Sequence, residues 1–268
     1  MRNWDKQLQN ITHLGQKLDG CMKDREVRLI AFIANVLSEI DGNILEIGSY
    51  KGKSTIILAK SANLKDNEKI YAVDPMINTT KTDPYSKELT DLELIFKNNL
   101  KNNNVEKYVE LFKMKSEDLA PDWNKELKFL WIDGDHTYDG TWKDFNGFAK
   151  WVKPGGIVAI HDVLNGFEGS LRVFMENVVL SNEYGACGLC GSIGWGQKIK
   201  NFDNKYLNNK VKLYKKLTKM VPYLINDAEL KGWNKFLYKF HRAFVPNKER
   251  DYEKLYNLIK EDLNITKK

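Results

Sequence analysis

Cysteine is scarce: among 268 residues only Cys21, Cys187 and Cys190 carry a thiol. Three is too few, and too odd a number, for a disulfide framework. A lone Cys187-Gly188-Leu189-Cys190 without a second pair does not make a zinc or redox site, so these thiols are read as buried groups. No run of about 18 apolar residues exists, so no membrane-spanning helix is expected. The amino terminus, Met1-Arg2-Asn3-Trp4-Asp5-Lys6, has no apolar stretch behind its charges; no secretory signal is expected, and the cytoplasm is the expected compartment. The body also lacks a basic excess. Of the net charge of +6, residues 201–268 hold 16 Lys/Arg against 8 Asp/Glu, while residues 1–200 hold 26 against 28. No nucleic-acid partner is therefore expected for the body.

What is present is a core-forming 42% of hydrophobic residues in a chain whose length suits one large domain with an appendage. Residues 23–40 place Leu29, Ile30, Ile33, Val36, Leu37 and Ile40 at helical spacing before Asp41-Gly42-Asn43 breaks the pattern. Short apolar runs at 43–47, 69–73, 108–114, 129–132 and 156–160 then read as strands. Stretches at 54–62, 90–99 and 140–152 read as helices between them. Such alternation predicts a doubly wound α/β domain around a mostly parallel sheet. A helix over 169–180 and two strand candidates at 184–189 and 192–198 complete seven strands, the last antiparallel. The expected organisation is a helical segment over 1–40, the domain over 41–200, and a basic helical extension over 201–268.

Ligands of such sheets bind at the carboxyl ends of the strands, near the point where strand order reverses. The first strand-to-helix turn runs Glu46-Ile47-Gly48-Ser49-Tyr50-Lys51-Gly52-Lys53-Ser54. Gly48 and Gly52 let the backbone approach a ligand, and the helix beginning near Ser54 offers unpaired N–H groups. The spacing is not the G-x-G-x-x-G of a dinucleotide site, which argues against an NAD-dependent oxidoreductase. The second strand ends in Asp74, about 20 residues or somewhat more beyond the turn, where a carboxylate suits two ribose hydroxyls.

The segment Leu45 to Thr55 resembles the first motif of catechol O-methyltransferase and related small-molecule O-methyltransferases, enzymes of the Rossmann-like class I type. That resemblance implies S-adenosylmethionine (SAM) as donor. It sets Glu46 and the backbone of Gly48 by the methionine part, with Ser54 near the carboxylate and Ser49, Tyr50 and Gly52 in the same turn. It also makes Ser116 and Glu117, after the third strand, candidates for adenine contact; a plain helix start explains the same letters. Asp133-Gly134-Asp135-His136-Thr137-Tyr138, with Trp151-Val152-Lys153-Pro154-Gly155-Gly156 leading to His161-Asp162, resembles the bacterial methyltransferase-24 type. This likeness covers roughly residues 40–200.

Asp133, His136, His161 and Asp162 converge at the ends of the fourth and fifth strands, and buried charges need partners. Two chemistries fit: a divalent cation held by carboxylates, or a general base. Resemblance to catechol and macrocin-type sugar O-methyltransferases makes Asp133 and Asp162 ligands of Mg2+, with Asp133 also beside the donor. His161 stands where those relatives have an acid, which tilts the metal toward Mn2+ or another transition ion. Without a metal, His136 is the first choice of base and His161 the second.

The function implied is O-methylation of a hydroxyl on a small molecule or sugar. Two alternatives remain: an RNA methyltransferase using the basic tail, and a non-catalytic SAM-binding partner protein. Residues 227–245 form an amphipathic pattern with Leu230, Trp233, Leu237, Phe240 and Phe244 on one face, and 249–264 form another. These helices are expected to pack on the body or on a second subunit of a homodimer; peripheral membrane contact and a cover over the pocket are the other readings.

Overall fold

The computed structural model describes residues 4–65, 67–77, 91–224 and 230–265, and every structural statement concerns these. Residues 1–3, 90, 227–229 and 266–268, which belong to the expected helical segments, lie outside the described residues. Seven strands form one sheet: β1 (Asn43–Ile47), β2 (Ile70–Val73), β3 (Val109–Phe112), β4 (Leu127–Ile132), β5 (Val152–Ile160), β6 (Tyr184–Cys190) and β7 (Ile193–Lys198). Their order is β3-β2-β1-β4-β5-β7-β6. The first five run parallel; β7 is antiparallel to both β5 and β6. This is the doubly wound sheet that the alternation predicts, with its antiparallel final strand.

Ten α-helices accompany the sheet: α1 (Trp4–Lys17), α2 (Asp24–Val36), α3 (Lys53–Ser61), α4 (Leu92–Asn102), α5 (Ser116–Leu119), α6 (Tyr138–Phe148), α7 (Glu168–Val173), α8 (Leu207–Leu217), α9 (Gly232–Ala243) and α10 (Tyr252–Ile265). No helix among the described residues is long and apolar enough to cross a membrane. All residues of β2 and β4 are buried, the near-continuous apolar burial that a sheet covered on both faces requires. One face holds α1 to α4 and α10, whose Leu255, Ile259 and Leu263 join Phe32, Ile56, Phe96 and Trp131. The other holds α6 to α8, with Phe145, Phe148, Leu171 and Leu213 against Leu130 and Val158. The basic extension thus divides between the two faces.

Two elements differ from expectation. Strand β5 begins at Val152 rather than 156, because its pairing with β4 jumps from Leu127↔Val152 to Phe129↔Ile157. The extra residues bulge, so Pro154, which has no N–H, interrupts no ladder bond. The helix expected over 169–180 is α7 followed by a π-helical turn, Phe174–Val179.

The end of the sheet opposite the ligand-bearing ends is held by a buried ion pair. Lys128 in β4, fully buried, donates to Glu68 at 2.7 Å. Glu68 also accepts from the backbone of Gly42 and Lys65, each at 3.0 Å, which joins the approaches to β1 and β2. Removing one partner leaves an uncompensated buried charge, whereas removing both does not. Lys128→Met is therefore expected to cost about 3 kcal/mol in urea unfolding. The double variant with Glu68→Leu should recover most of that loss; a double variant as unstable as the single one would show that the pair is not the cause.

Candidate functional site

The order of the sheet reverses between β1 and β4, and that is where the cleft opens. Hydrogen bonding continues one residue past each strand: Gly48 N–H donates to Val73 O at 2.9 Å, Asp133 N–H to Ile47 O at 2.8 Å, His161 N–H to Ile132 O at 2.9 Å and Asp74 N–H to Phe112 O at 3.1 Å. The ladder thereby fixes four site residues as rigidly as the strands themselves. At Gly48, with φ +86°, a Cβ would lie 2.1 Å from the carbonyl oxygen of Asp133, so only glycine fits. The cleft measures about 790 Å³. Gly48, Ser49, Tyr50, Ser54, Asp74, Ser116, Glu117, Asp133, His136, His161 and Asp162 all line it.

On the donor side, Asp74 closes the glycine turn. Its Oδ2 accepts from the N–H groups of Ser49 and Tyr50, each at 2.9 Å, and its Oδ1 accepts from Met76 N–H at 2.7 Å. Tyr50 takes a left-handed φ of +46°, a conformation uncommon for an aromatic residue and held here by that carboxylate. Glu46 is fully buried beneath the turn, where the Thr55 hydroxyl donates to it. Gly52, φ +87°, is the N-cap of α3 and packs over Phe96. Ser116 begins α5 and donates to Asp144, while Glu117 pairs with Lys143 at 2.8 Å across the cleft rim.

On the reaction side, five ionisable groups meet. Nδ1 of His161 lies 2.9 Å from Asp133 Oδ1 and 3.3 Å from Asp162 Oδ1, and its Nε2 lies 3.6 Å from Glu26. Nε2 of His136 is 3.6 Å from Asp133 Oδ1 and 3.4 Å from Asp162 Oδ2. Burial disfavours a charged imidazole, but the surrounding carboxylates outweigh it and hold His161 well above its ordinary value and His136 above it too. Burial likewise works to raise Asp133, and the two imidazoles outweigh it and hold the carboxyl low. Asp162 adopts φ +58°, a left-handed turn that aims its carboxylate back at His136.

The atoms of Asp133, His136 and Asp162 lie within 4.8 Å of one another, the one set among the described residues arranged as metal ligands could be. His136 occupies the place in that set which the sequence suggested for His161. The Nδ1 of His161 is instead engaged by Asp133, at hydrogen-bond distance.

Three participants escape the sequence reading. Glu26, on α2 and 1% exposed, accepts from both the N–H and the hydroxyl of Ser192 at 2.8 Å and faces His161. Burial opposes its ionisation, yet the His161 imidazole beside it brings the carboxyl down to about 2. Its signal was legible: it shares the stripe of Ile30, Ile33 and Leu37, where an acid has no reason to be unless paired. Asp144 on the buried face of α6 is pushed up to about 7 by burial. Phe167 stacks on His136, centroids 4.6 Å apart, and no local pattern marks it.

Residues 45–163 match the family model described as a methyltransferase domain. An uncharacterized protein of Acanthamoeba polyphaga mimivirus, R132, is 25% identical over 133 residues, 48% of this chain. The match spans only 55% of that relative's length. Among solved structures, the O-methyltransferase NovP superposes with a TM-score of 0.54 at 16% identity, covering 66% of this chain and 81% of its own. TomG from Streptomyces achromogenes, an O-methyltransferase involved in tomaymycin synthesis and solved with SAM, gives 0.52 at 15%, covering 74% and 91%. The TDP-rhamnose 3'-O-methyltransferase CalS11 gives 0.51 at 12%, covering 72% and 93%. At these identities the likeness is one of fold.

Burial lifts the Glu46 carboxyl from an ordinary 4.5 to about 7, against the hydroxyls of Ser54 and Thr55 that favour its charge. In that window the unfolded chain has released a proton that the folded one keeps, so stability falls as pH rises from about 4.5 to about 7. Glu46→Gln retains an acceptor for Thr55 and removes the titration. Its melting temperature should exceed that of the parent above about pH 7 and lose the advantage toward about pH 4.5. The full effect is on the order of 3 kcal/mol. A melting difference that does not change with pH would refute the assignment.

Proposed function

We propose that this chain, a class I methyltransferase dependent on SAM, transfers a methyl group to a hydroxyl oxygen of a small molecule or sugar. The observation that carries the reading is the pairing of the glycine turn with Asp133, His136 and Asp162 across a single backbone contact, Gly48 against Asp133. NovP, TomG and CalS11, all O-methyltransferases on this fold, support the same class of acceptor.

The residues present fit the donor. The cradle at Gly48 that a Cβ would fill admits close backbone approach, and Asp74, with three acceptor positions taken by backbone N–H groups, keeps one on Oδ1 that suits a ribose hydroxyl. The N–H groups at the start of α3 and Ser54 suit a carboxylate, and buried Glu46 beneath the turn is a carboxyl that an ammonium would draw into its charged form. SAM, when bound, supplies an electrophilic methyl group on a sulfonium. The chain's part is to align the acceptor oxygen with that methyl and to take its proton.

His136 Nε2 is the atom we assign to the proton. His136 lines the cleft, the carboxylates of Asp133 and Asp162 stabilise the imidazolium it becomes, and Phe167 stacks on its ring. His161, held between Asp133 and Glu26, keeps the Asp133 carboxylate oriented.

A second reading rests on a specific observation. Neither ring nitrogen of His136 has a hydrogen-bond partner among the described residues, and the gaps of 3.4 and 3.6 Å to the carboxylates exceed hydrogen-bond length. Ligand atoms around one divalent cation stand at such separations, so Asp133, Asp162 and His136 fit Mn2+ or Mg2+, the imidazole favouring the former. The ion would supply Lewis acidity toward the acceptor hydroxyl.

Two measurements test these assignments. Asp74→Ala should weaken S-adenosylhomocysteine binding in calorimetry by at least about tenfold, the value of a lost charged hydrogen bond; unchanged affinity would remove Asp74 from the donor site. Asp162→Asn and His136→Ala should abolish transfer to hydroxyl acceptors while leaving donor affinity near that of the parent. Chelation then separates the readings: transfer lost and restored by Mn2+ assigns the three residues to a cation, and transfer that survives assigns His136 as base. Transfer undiminished in both variants would sink the reaction centre altogether.

A further inference from the structure

Helix α9 turns its aromatic face away from the body. Trp233, Phe236, Phe240 and Phe244 are 70%, 55%, 51% and 60% exposed. Spaced by three and four residues, they fall within an arc of about 80° at 3.6 residues per turn. On the far side of the helix Tyr238 is buried at 2% and joins the core beneath α6 and α7. Of the readings the sequence left open for this helix, packing of the whole aromatic stripe on the body is not what the described residues show: Trp233, Phe240 and Phe244 are exposed, while Leu237 is partly buried. The four rings meet in two pairs: Trp233 stacks on Phe236 at 5.0 Å, and Phe240 meets Phe244 edge-on at 5.2 Å. A contiguous apolar surface of this kind is unusual on a soluble face and marks an interaction site.

The flanking charge narrows the occupant. Between Gly232 and Ala243 the charged residues are Lys235, Lys239 and Arg242, with no acid among them. Lys239 is exposed and lies at one edge of the aromatic arc, about 60° from Phe236, with exposed Lys235 about 40° further round the helix. Two copies of this chain meeting through α9 would set cation against cation without a compensating carboxylate on the helix. An anionic bilayer surface satisfies both halves at once, because Trp and Phe rings settle at the level of the headgroups while lysines reach the phosphates.

The geometry also shows how such an anchor is rooted. Leu230, just before α9, packs on Gly166 so closely that a Cβ there would lie 2.7 Å from Leu230 Cδ1. The next residue, Phe167, is the ring stacked on His136. The anchor helix is therefore fastened to the loop that forms one wall of the cleft.

We propose that α9 seats this protein on an anionic lipid surface, with Trp233, Phe236, Phe240 and Phe244 entering the interfacial layer and Lys235 and Lys239 meeting lipid phosphates. The inference goes beyond the methyl-transfer reading and is tested without any acceptor, so the two can fail separately.

Co-sedimentation of the full chain with vesicles of phosphatidylcholine plus phosphatidylglycerol, and with phosphatidylcholine alone, reads the partition directly. Binding should be at least about tenfold stronger to the anionic vesicles and fall as salt is raised. The variant W233S/F240S should lose at least about tenfold in partition. The variant K235E/K239E should lose the preference for the anionic lipid. Both should retain the parent's melting temperature and S-adenosylhomocysteine affinity, since the altered side chains are exposed and lie outside the cleft. Equal partition onto both vesicle types, or wild-type partition by W233S/F240S, would overturn the proposal. So would sedimentation velocity showing a lipid-free dimer that W233S/F240S dissociates while neither form binds vesicles.

Discussion

Gly48 and Asp133 pass so near one another that the missing Cβ of the glycine is a condition of the fold rather than a convenience. Strands β1 and β4 are neighbours at the point where the sheet reverses, and their extended ladder places the glycine turn directly against the first residue of the buried charge cluster. Everything functional in the domain hangs from this contact. The turn is closed from one side by Asp74, reaching from β2, and the opposite wall is closed by His161 and Asp162, reaching from β5. For the methyl transfer proposed, donor and acceptor have to be held in line and close together, and a sheet whose strand ends are hydrogen-bonded to each other gives that rigidity without relying on loops.

The second organising feature is charge. Three carboxylates and two imidazoles gather around a largely buried point, a grouping that would be costly unless each charge found another. The pairing is complete enough to move every shifted member in the direction of mutual ionisation: Glu26 and Asp133 go down, His136 and His161 go up. Glu26 comes from α2, outside the sheet, and grips Ser192 at the turn between β6 and β7 as well as facing His161. Helix α2 thereby takes part in the site, and the cluster is assembled from α2, the ends of β4 and β5 and the β6–β7 turn.

Much of this was legible in the chain itself. Alternating apolar runs and amphipathic stretches specify the doubly wound sheet, since strands buried on both faces must be apolar throughout and the helices covering them on one side only. Residues 46–54, Asp74 and the acids and histidines at 133–136 and 161–162 were identifiable because the chemistry of the fold collects at strand ends, so local pattern and position coincide. Asp144 and Phe167 were not, because each enters the site from a helix or loop whose local sequence explains itself without a ligand; Glu26 was marked only by standing as an acid in an apolar helical stripe, which calls for a partner without naming it. The face of α9 stayed open for a related reason: periodicity says that a helix has an apolar side, and says nothing about which way that side is turned.

The sequence by itself determined the strand-end residues and the class of sheet that carries them, because side-chain period and glycine spacing are local properties of the chain. Tertiary structure alone decided which of two histidines stands free of a hydrogen bond between Asp133 and Asp162, which helix lends its carboxylate to the other, and that an aromatic stripe faces outward. Those outcomes depend on distances between segments far apart in the chain, and such distances are set by packing and not by any pattern within a segment.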